Sequence, residues 1–134
     1  MRYWIFVYTP ESYADVCKHG ITRVGKRGLK TLTEVVKEGD SVIAYISKQK
    51  IFDGYGKITG QTVVQSKDES QQYPWSRKIE IEKKNLKKPV GDLFWGLDEF
   101  NTCDTTPGNL LTLKGGMIEI RKDEFEWLLK EIKK

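Results

Sequence analysis

Residues able to do chemistry are few in type and unevenly spread along the 134-residue chain. One histidine, His19, and two cysteines, Cys17 and Cys103, leave almost nothing to build a zinc site or a Cys–His nucleophile. No GxSxG, HExxH, P-loop or CxxC spacing occurs. Asp123, Glu124 and Glu126 fall in the first turn of an expected helix, where the macrodipole accounts for them. Glu80 and Glu82 share the wet face of an expected strand. No acid–base set, metal site or cofactor is expected from this inventory.

Cations and aromatic rings carry more information. From Lys18 to Lys30 there are five basic residues, including Arg23, Lys26, Arg27 and Lys30, and no acidic one. From Arg77 to Lys88 six basic residues face only Glu80 and Glu82, and between Asp92 and Asp104 the sign reverses. A basic face of this kind suits a polyanion such as nucleic acid, with Arg23, Lys26, Arg27 and Lys30 on its phosphates. Among 15 aromatic residues, Trp75 in Tyr73-Pro74-Trp75-Ser76 lies at the end of a polar loop, where its flat face can stack on a base. A buried plug in a barrel is the competing role for Trp75.

The elements that must position these residues follow from local pattern. Tyr3–Tyr8 is aromatic and β-branched throughout and reads as a strand apolar on both faces, in the middle of a sheet. Thr9, Pro10 and Glu11 form a helix start, and Gly20 is the expected left-handed stop. Gly25–Gly28 reads as a flexible basic loop, and Thr31 with Glu34 as the capping box of a second short helix. Ser41–Ile46 is a strand; Tyr55–Gln65 reads as one long strand bent at Gly56 and Gly60. Lys78–Glu82 alternates as a half-wet strand. Residues 85–109 read as irregular, and 110–113 with 117–120 as a hairpin around Lys114-Gly115-Gly116. A final helix spans Asp123–Lys133, with Phe125, Leu128, Leu129 and Ile132 on one stripe.

This order gives an α+β fold: a small curved β-barrel of about five to six strands flanked by short helices, in one domain over residues 1–134. No apolar stretch approaches the ~18 residues that cross a bilayer, so no membrane partner is expected. Two cysteines point to a reducing cytoplasm, and a monomer is the expected state.

The chain resembles the EVE domain family of the PUA-like superfamily, relatives of the YTH modified-RNA readers. The likeness rests on Arg2-Tyr3-Trp4-Ile5, Val24-Gly25-Lys26-Arg27, Leu32 through Gly39-Asp40 to Tyr45, Tyr73-Pro74-Trp75, Asn109-Leu110-Leu111 and Arg121-Lys122-Asp123-Glu124-Phe125. It implies a PUA-like barrel whose pocket accepts a flipped, chemically modified base of DNA or RNA, without catalysis. By position, the resemblance implies pocket walls from Tyr8, Thr9, Tyr45, Ser47, Tyr73 and Trp75, with Asn109 near the rim. Relatives often carry a Trp where this chain has Ile21-Thr22-Arg23; with Thr22 in that place, one aromatic wall is absent. The expected partner is nucleic acid carrying a modified base. The alternatives are a nucleotide-binding sensor or enzyme, and a protein-interaction module with an unused pocket.

Overall fold

The computed structural model describes residues 1–68, 70–98, 100 and 116–134. Strand β1 (Tyr3–Tyr8) leads into helix α1 (Pro10–His19), then β2 (Ile21–Val24) and helix α2 (Lys26–Lys30), which passes into a π turn at Thr31–Val35. Strands β3 (Ser41–Ile46), β4 (Ile51–Ile58), β5 (Val64–Gln65), β6 (Trp75–Lys83), β7 (Lys88–Pro89) and β8 (Met117–Ile120) follow, with a 3₁₀ turn at Leu93–Gly96. Helix α3 (Lys122–Ile132) closes the chain. The strands form one curved mixed sheet in the order β2-β6-β4-β3-β1-β8, with β5 on β6 and β7 on β4. The fold is α+β, as the element order implies. Pairing is antiparallel except between β1 and β3, which run parallel because α1, β2 and α2 lie between them.

Both faces of this sheet are covered, which explains why β1 and β3 are apolar at nearly every position. Alternation sends Trp4, Phe6 and Tyr8 toward one core with Val42, Ala44 and Ile46, closed by Tyr13 and Val16 of α1 and Leu32 of the π turn. Ile5, Ile43 and Tyr45 point the other way, into a core with Phe125, Leu128 and Ile132 of α3. Burying each of those three α3 side chains contributes roughly 1.5–3 kcal/mol, enough to dock a helix that is marginal alone.

Local signals set several boundaries. The Thr9 hydroxyl accepts the Ser12 N–H at 3.1 Å and the Ser12 hydroxyl accepts the Thr9 N–H at 2.9 Å, a reciprocal cap on α1. Gly20 ends α1 with φ of 67°. At α3, the Arg121 N–H donates to Glu124 at 3.0 Å.

Four expectations change. The Gly25–Gly28 segment is a loop only at Gly25; residues 26–30 are helical, and the second helix starts earlier than Thr31. Gly28 serves close packing: a Cβ there would lie 2.8 Å from the Met117 side chain and 3.1 Å from that of Val24. The long strand expected over Tyr55–Gln65 is two, β4 and the edge strand β5. Its register slips between Tyr55 and Gly56, where a Cβ would lie 1.9 Å from the Glu80 carbonyl, so only glycine admits that approach. Strand β6 begins at Trp75, three residues before the alternating stretch, and β2 is a strand that half-buried residues disguise. Residues 110–115 of the expected hairpin lie outside the described residues; its second arm, β8, pairs with β1.

Candidate nucleic-acid interface

At the end of the sheet where β1 runs out, a cavity of about 790 Å³ opens between α1, the β2–α2 junction and the loop preceding β6. That volume suits a ligand the size of a nucleotide. Val7, Tyr8 and Thr9 form its floor, Glu11, Ser12, Asp15 and Val16 of α1 one wall, and Arg23 to Gly28 the facing wall. Ser47 after β3 and Gln71, Gln72 and Tyr73 complete the rim. Chain ends of β1 and β3 meet here because the two strands run parallel and in register, Tyr8 opposite Ile46; the Ser47 N–H donates to the Tyr8 carbonyl at 2.9 Å.

Tyr8 and Tyr73 supply the aromatic surface. Tyr8 is 6% exposed, and its hydroxyl lies 2.9 Å from that of Thr22. Burial pushes the Tyr8 phenol well above the ordinary tyrosine value, the Thr22 contact opposes that only in part, and the charge of Cys17 adds to it. Tyr8 therefore stays neutral and fixed in orientation. Thr22 is buried beneath the cavity and takes no part in its wall; it anchors Tyr8 from below. Tyr73 is 45% exposed. Its ring lies against Gly25, where a Cβ would stand 3.4 Å from the ring edge, so the absence of a side chain at Gly25 lets Tyr73 reach over the β2–α2 junction.

The charged lining is mixed in sign. Lys26 and Arg27 are exposed on one wall, Glu11 and Asp15 lie on the other. Arg23 spans them, its Nε donating to Asp15 at 3.0 Å, with His19 Nε2 3.6 Å from the same carboxylate. The stretch from Lys18 to Lys30 is therefore compensated in space by an acid that precedes it in sequence. The Glu11 carboxyl sits below the ordinary range through its own backbone N–H, aided by the charge of Lys48 and by Thr9.

Of the residues expected at a site, Tyr8, Thr9, Ser47, Tyr73, Arg23, Lys26 and Arg27 meet around this cavity. Lys30 is an exposed residue at the end of α2 that does not line it. Asn109 lies outside the described residues. Tyr45 is corrected: strand alternation turns it to the opposite face, its ring 5.3 Å from Phe52 and 5.0 Å from Phe94. Trp75 is corrected too. It is the first residue of β6, opposite Val24 of β2 and Gln65 of β5, and packs half-buried on the first core rather than in the cavity wall.

Arg77, counted with the basic run, belongs to the interior. It is 4% exposed and donates to four carbonyls, those of Gly60, Leu32, Val36 and Gln61, at 2.5–3.2 Å. Sequence reading missed Glu11, Ser12, Asp15, Gln71 and Gln72 in the wall. The four-residue step from Glu11 to Asp15, starting just after the Thr9 cap, carried that signal for the α1 side.

Chemically, the site offers stacking surface, neutral hydrogen-bonding groups and a basic rim. Among the described residues no group of three or more His, Cys, Asp or Glu is placed to hold a metal ion.

No family model matches the chain, and no curated protein matches it in sequence. Solved structures do match in fold. The Mmi1 YTH domain aligns with a TM-score of 0.70 at 16% identity, covering 99% of this chain and 96% of that one. The YTH domain of Zygosaccharomyces rouxii MRB1, solved in complex with N6-methyladenosine RNA, aligns at 0.66 and 17% identity, covering 99% and 85%. A Leishmania major protein aligns at 0.69 and 12%, covering 99% and 95%. The fold of this chain is that of YTH domains, shared over almost its entire length.

Proposed function

We propose that this protein is a non-catalytic RNA-binding module of the EVE type that takes one base, chemically modified, into the cavity between α1 and the β2–α2 junction. The observation that carries the reading is the cavity itself: nucleotide-sized, floored by a neutral buried tyrosine, overhung by Tyr73 and rimmed by Lys26 and Arg27. A base stacked on Tyr73 gains ~1–3 kcal/mol, and Lys26 and Arg27 take the flanking phosphates. A methyl group on the base adds apolar area, selected at about 25 cal/mol per Å² buried. RNA as the polymer is supported by similarly folded YTH domains solved with RNA, one of them with N6-methyladenosine RNA; a single strand is favoured because extraction of a base is cheapest there.

Binding of modified and plain oligonucleotides, single- and double-stranded, over a range of salt tests the reading. The expected result is tighter binding of a modified single strand with a steep salt dependence. A mononucleotide that binds as tightly as the strand, with a shallow dependence, would instead make the cavity a small-ligand sensor.

A further inference from the structure

The second basic run, Arg77–Lys88, has no part in the cavity, yet its exposed members form a surface of their own. From the last residue of β6 the chain reads Lys83-Lys84-Asn85-Leu86-Lys87-Lys88. Lys83, Lys84 and Lys87 are exposed, and no carboxylate lies within ion-pair distance of them among the described residues. The turn is held rigidly from below. Asp53, 6% exposed, accepts the N–H groups of Asn85 at 3.2 Å and Lys87 at 3.3 Å, while its carbonyl accepts that of Leu86 at 2.9 Å. Asn85 and Lys87 both carry positive φ, 64° and 48°, a conformation that favours glycine and costs of order 1 kcal/mol or more for a side-chain-bearing residue. The turn is thus fixed by Asp53 and strained at Asn85 and Lys87, and it keeps Lys83, Lys84 and Lys87 exposed.

Lysines from other segments extend the surface. Lys83 stands opposite Tyr55 in the β4–β6 register, and the Lys133 ammonium lies 4.9 Å from the centre of the Tyr55 ring. In the other direction, the Val90 N–H donates to the Lys50 carbonyl at 2.9 Å, so the far end of the turn is tied to the β3–β4 connection. That connection carries exposed Lys48 and Lys50 and begins at Ser47, in the cavity wall. Ser47 and Lys50 are three residues apart, on the order of 10 Å of chain.

We infer that the Lys83–Lys88 turn is a second binding site for the phosphodiester backbone of a single-stranded nucleic acid, reached from the cavity along Lys48 and Lys50. The inference rests on the cavity reading for its ligand but on different residues for its evidence. The turn holds the strand without reading its bases, since lysine bound to phosphate carries no sequence information. It adds affinity that grows with strand length, while the cavity selects the base.

The test is anisotropy binding of single-stranded oligoribonucleotides of about four and about twelve nucleotides to three proteins: the natural chain, K83A/K84A/K87A and K26A/R27A. The natural chain binds the longer strand more tightly and with the steeper salt slope. In K83A/K84A/K87A the slope for the longer strand falls by about 2, at ~0.7 for each phosphate that a lysine no longer neutralises, and short-strand binding is unchanged. The lysine-to-arginine triple variant restores the slope. An unchanged length effect and slope in K83A/K84A/K87A overturns the inference. Loss of short-strand binding in K26A/R27A with the length effect retained supports both sites. Length-dependent binding that is insensitive to K26A/R27A throughout refutes the cavity reading and leaves the turn standing. No binding of either strand to the natural chain refutes both.

Discussion

Replacing Arg77 with methionine removes a buried guanidinium and leaves its four carbonyl partners without donors. Leu32 and Val36, which supply two of those carbonyls, are 0% exposed, so water does not replace the missing donor there. Burial draws the Arg77 guanidinium below the ordinary arginine value, against the nearby charges of Asp40 and Glu38, yet arginine stays charged throughout the usable pH range. Each charge-assisted hydrogen bond is worth roughly 1.5–3 kcal/mol net. That figure is net of desolvation; against it stands the roughly 1.5–3 kcal/mol returned by burying methionine. At the lower bond value, four bonds less that return predict a loss of about 3–5 kcal/mol in Arg77→Met. At about 2.1 cal/mol/K per residue over 134 residues, 1 kcal/mol shifts Tm by roughly 3.6 °C, so the melting temperature falls by roughly 11–18 °C. Calorimetry with urea titration measures it, and Arg77→Lys, which keeps the charge but not the planar fork, should fall between the two. A Tm change below about 3 °C at an unchanged urea slope would refute the claim that this guanidinium ties the α2–π segment to the sheet.

Tyr73 and Trp75, two residues apart, should behave oppositely. Tyr73→Ala weakens oligonucleotide binding by ~1–3 kcal/mol with Tm nearly unchanged, whereas Trp75→Ala lowers Tm by several degrees and keeps discrimination between modified and plain strands; melting and binding on both variants check this. Asp40 accepts the indole N–H of Trp4 at 3.0 Å and the N–H groups of Arg2 and Lys37 at 3.0 and 2.9 Å, so Asp40→Asn, which turns an amide toward donors, should cost about 2–3 kcal/mol, read by tryptophan fluorescence during urea unfolding. Of six tyrosines, Tyr8, Tyr13 and Tyr45 have phenols raised by burial, Tyr13 also by the Cys17 and Asp53 charges. Because their folded values exceed the unfolded value of about 10, the stability they contribute is full below pH ~10 and is lost as pH rises above it. An absorbance titration should show the Tyr8, Tyr13 and Tyr45 ionisations appearing only with alkaline unfolding; their ionisation near pH ~10 on a folded protein would contradict this.

Much of the scaffold was legible in the sequence because its signals are local. The double-sided apolar run Tyr3–Tyr8 set a central strand, Thr9 with Pro10 and Gly20 set both ends of α1, and the stripe of Phe125, Leu128 and Ile132 set α3 within a residue at each end. Each depends on chain periods of two or 3.6 residues and on caps within four residues. The resemblance then gathered Tyr8, Thr9, Ser47, Tyr73, Lys26 and Arg27, which the structure brings to one cavity.

What the sequence could not decide was the partner across space. Whether Tyr45 faces the cavity or the second core follows from which face of β3 each core covers, a fact of sheet order. Arg77 reads as one more cation in a basic run until β6 is laid beside β2 and β4, which places its side chain under carbonyls 16 to 45 residues away in sequence. The acid that balances Arg23 precedes it by eight residues on another element, so no window of charge arithmetic shows it. Periodicity and capping are written into consecutive residues, but burial, charge compensation and cavity walls are sums over neighbours that only the closed sheet brings together.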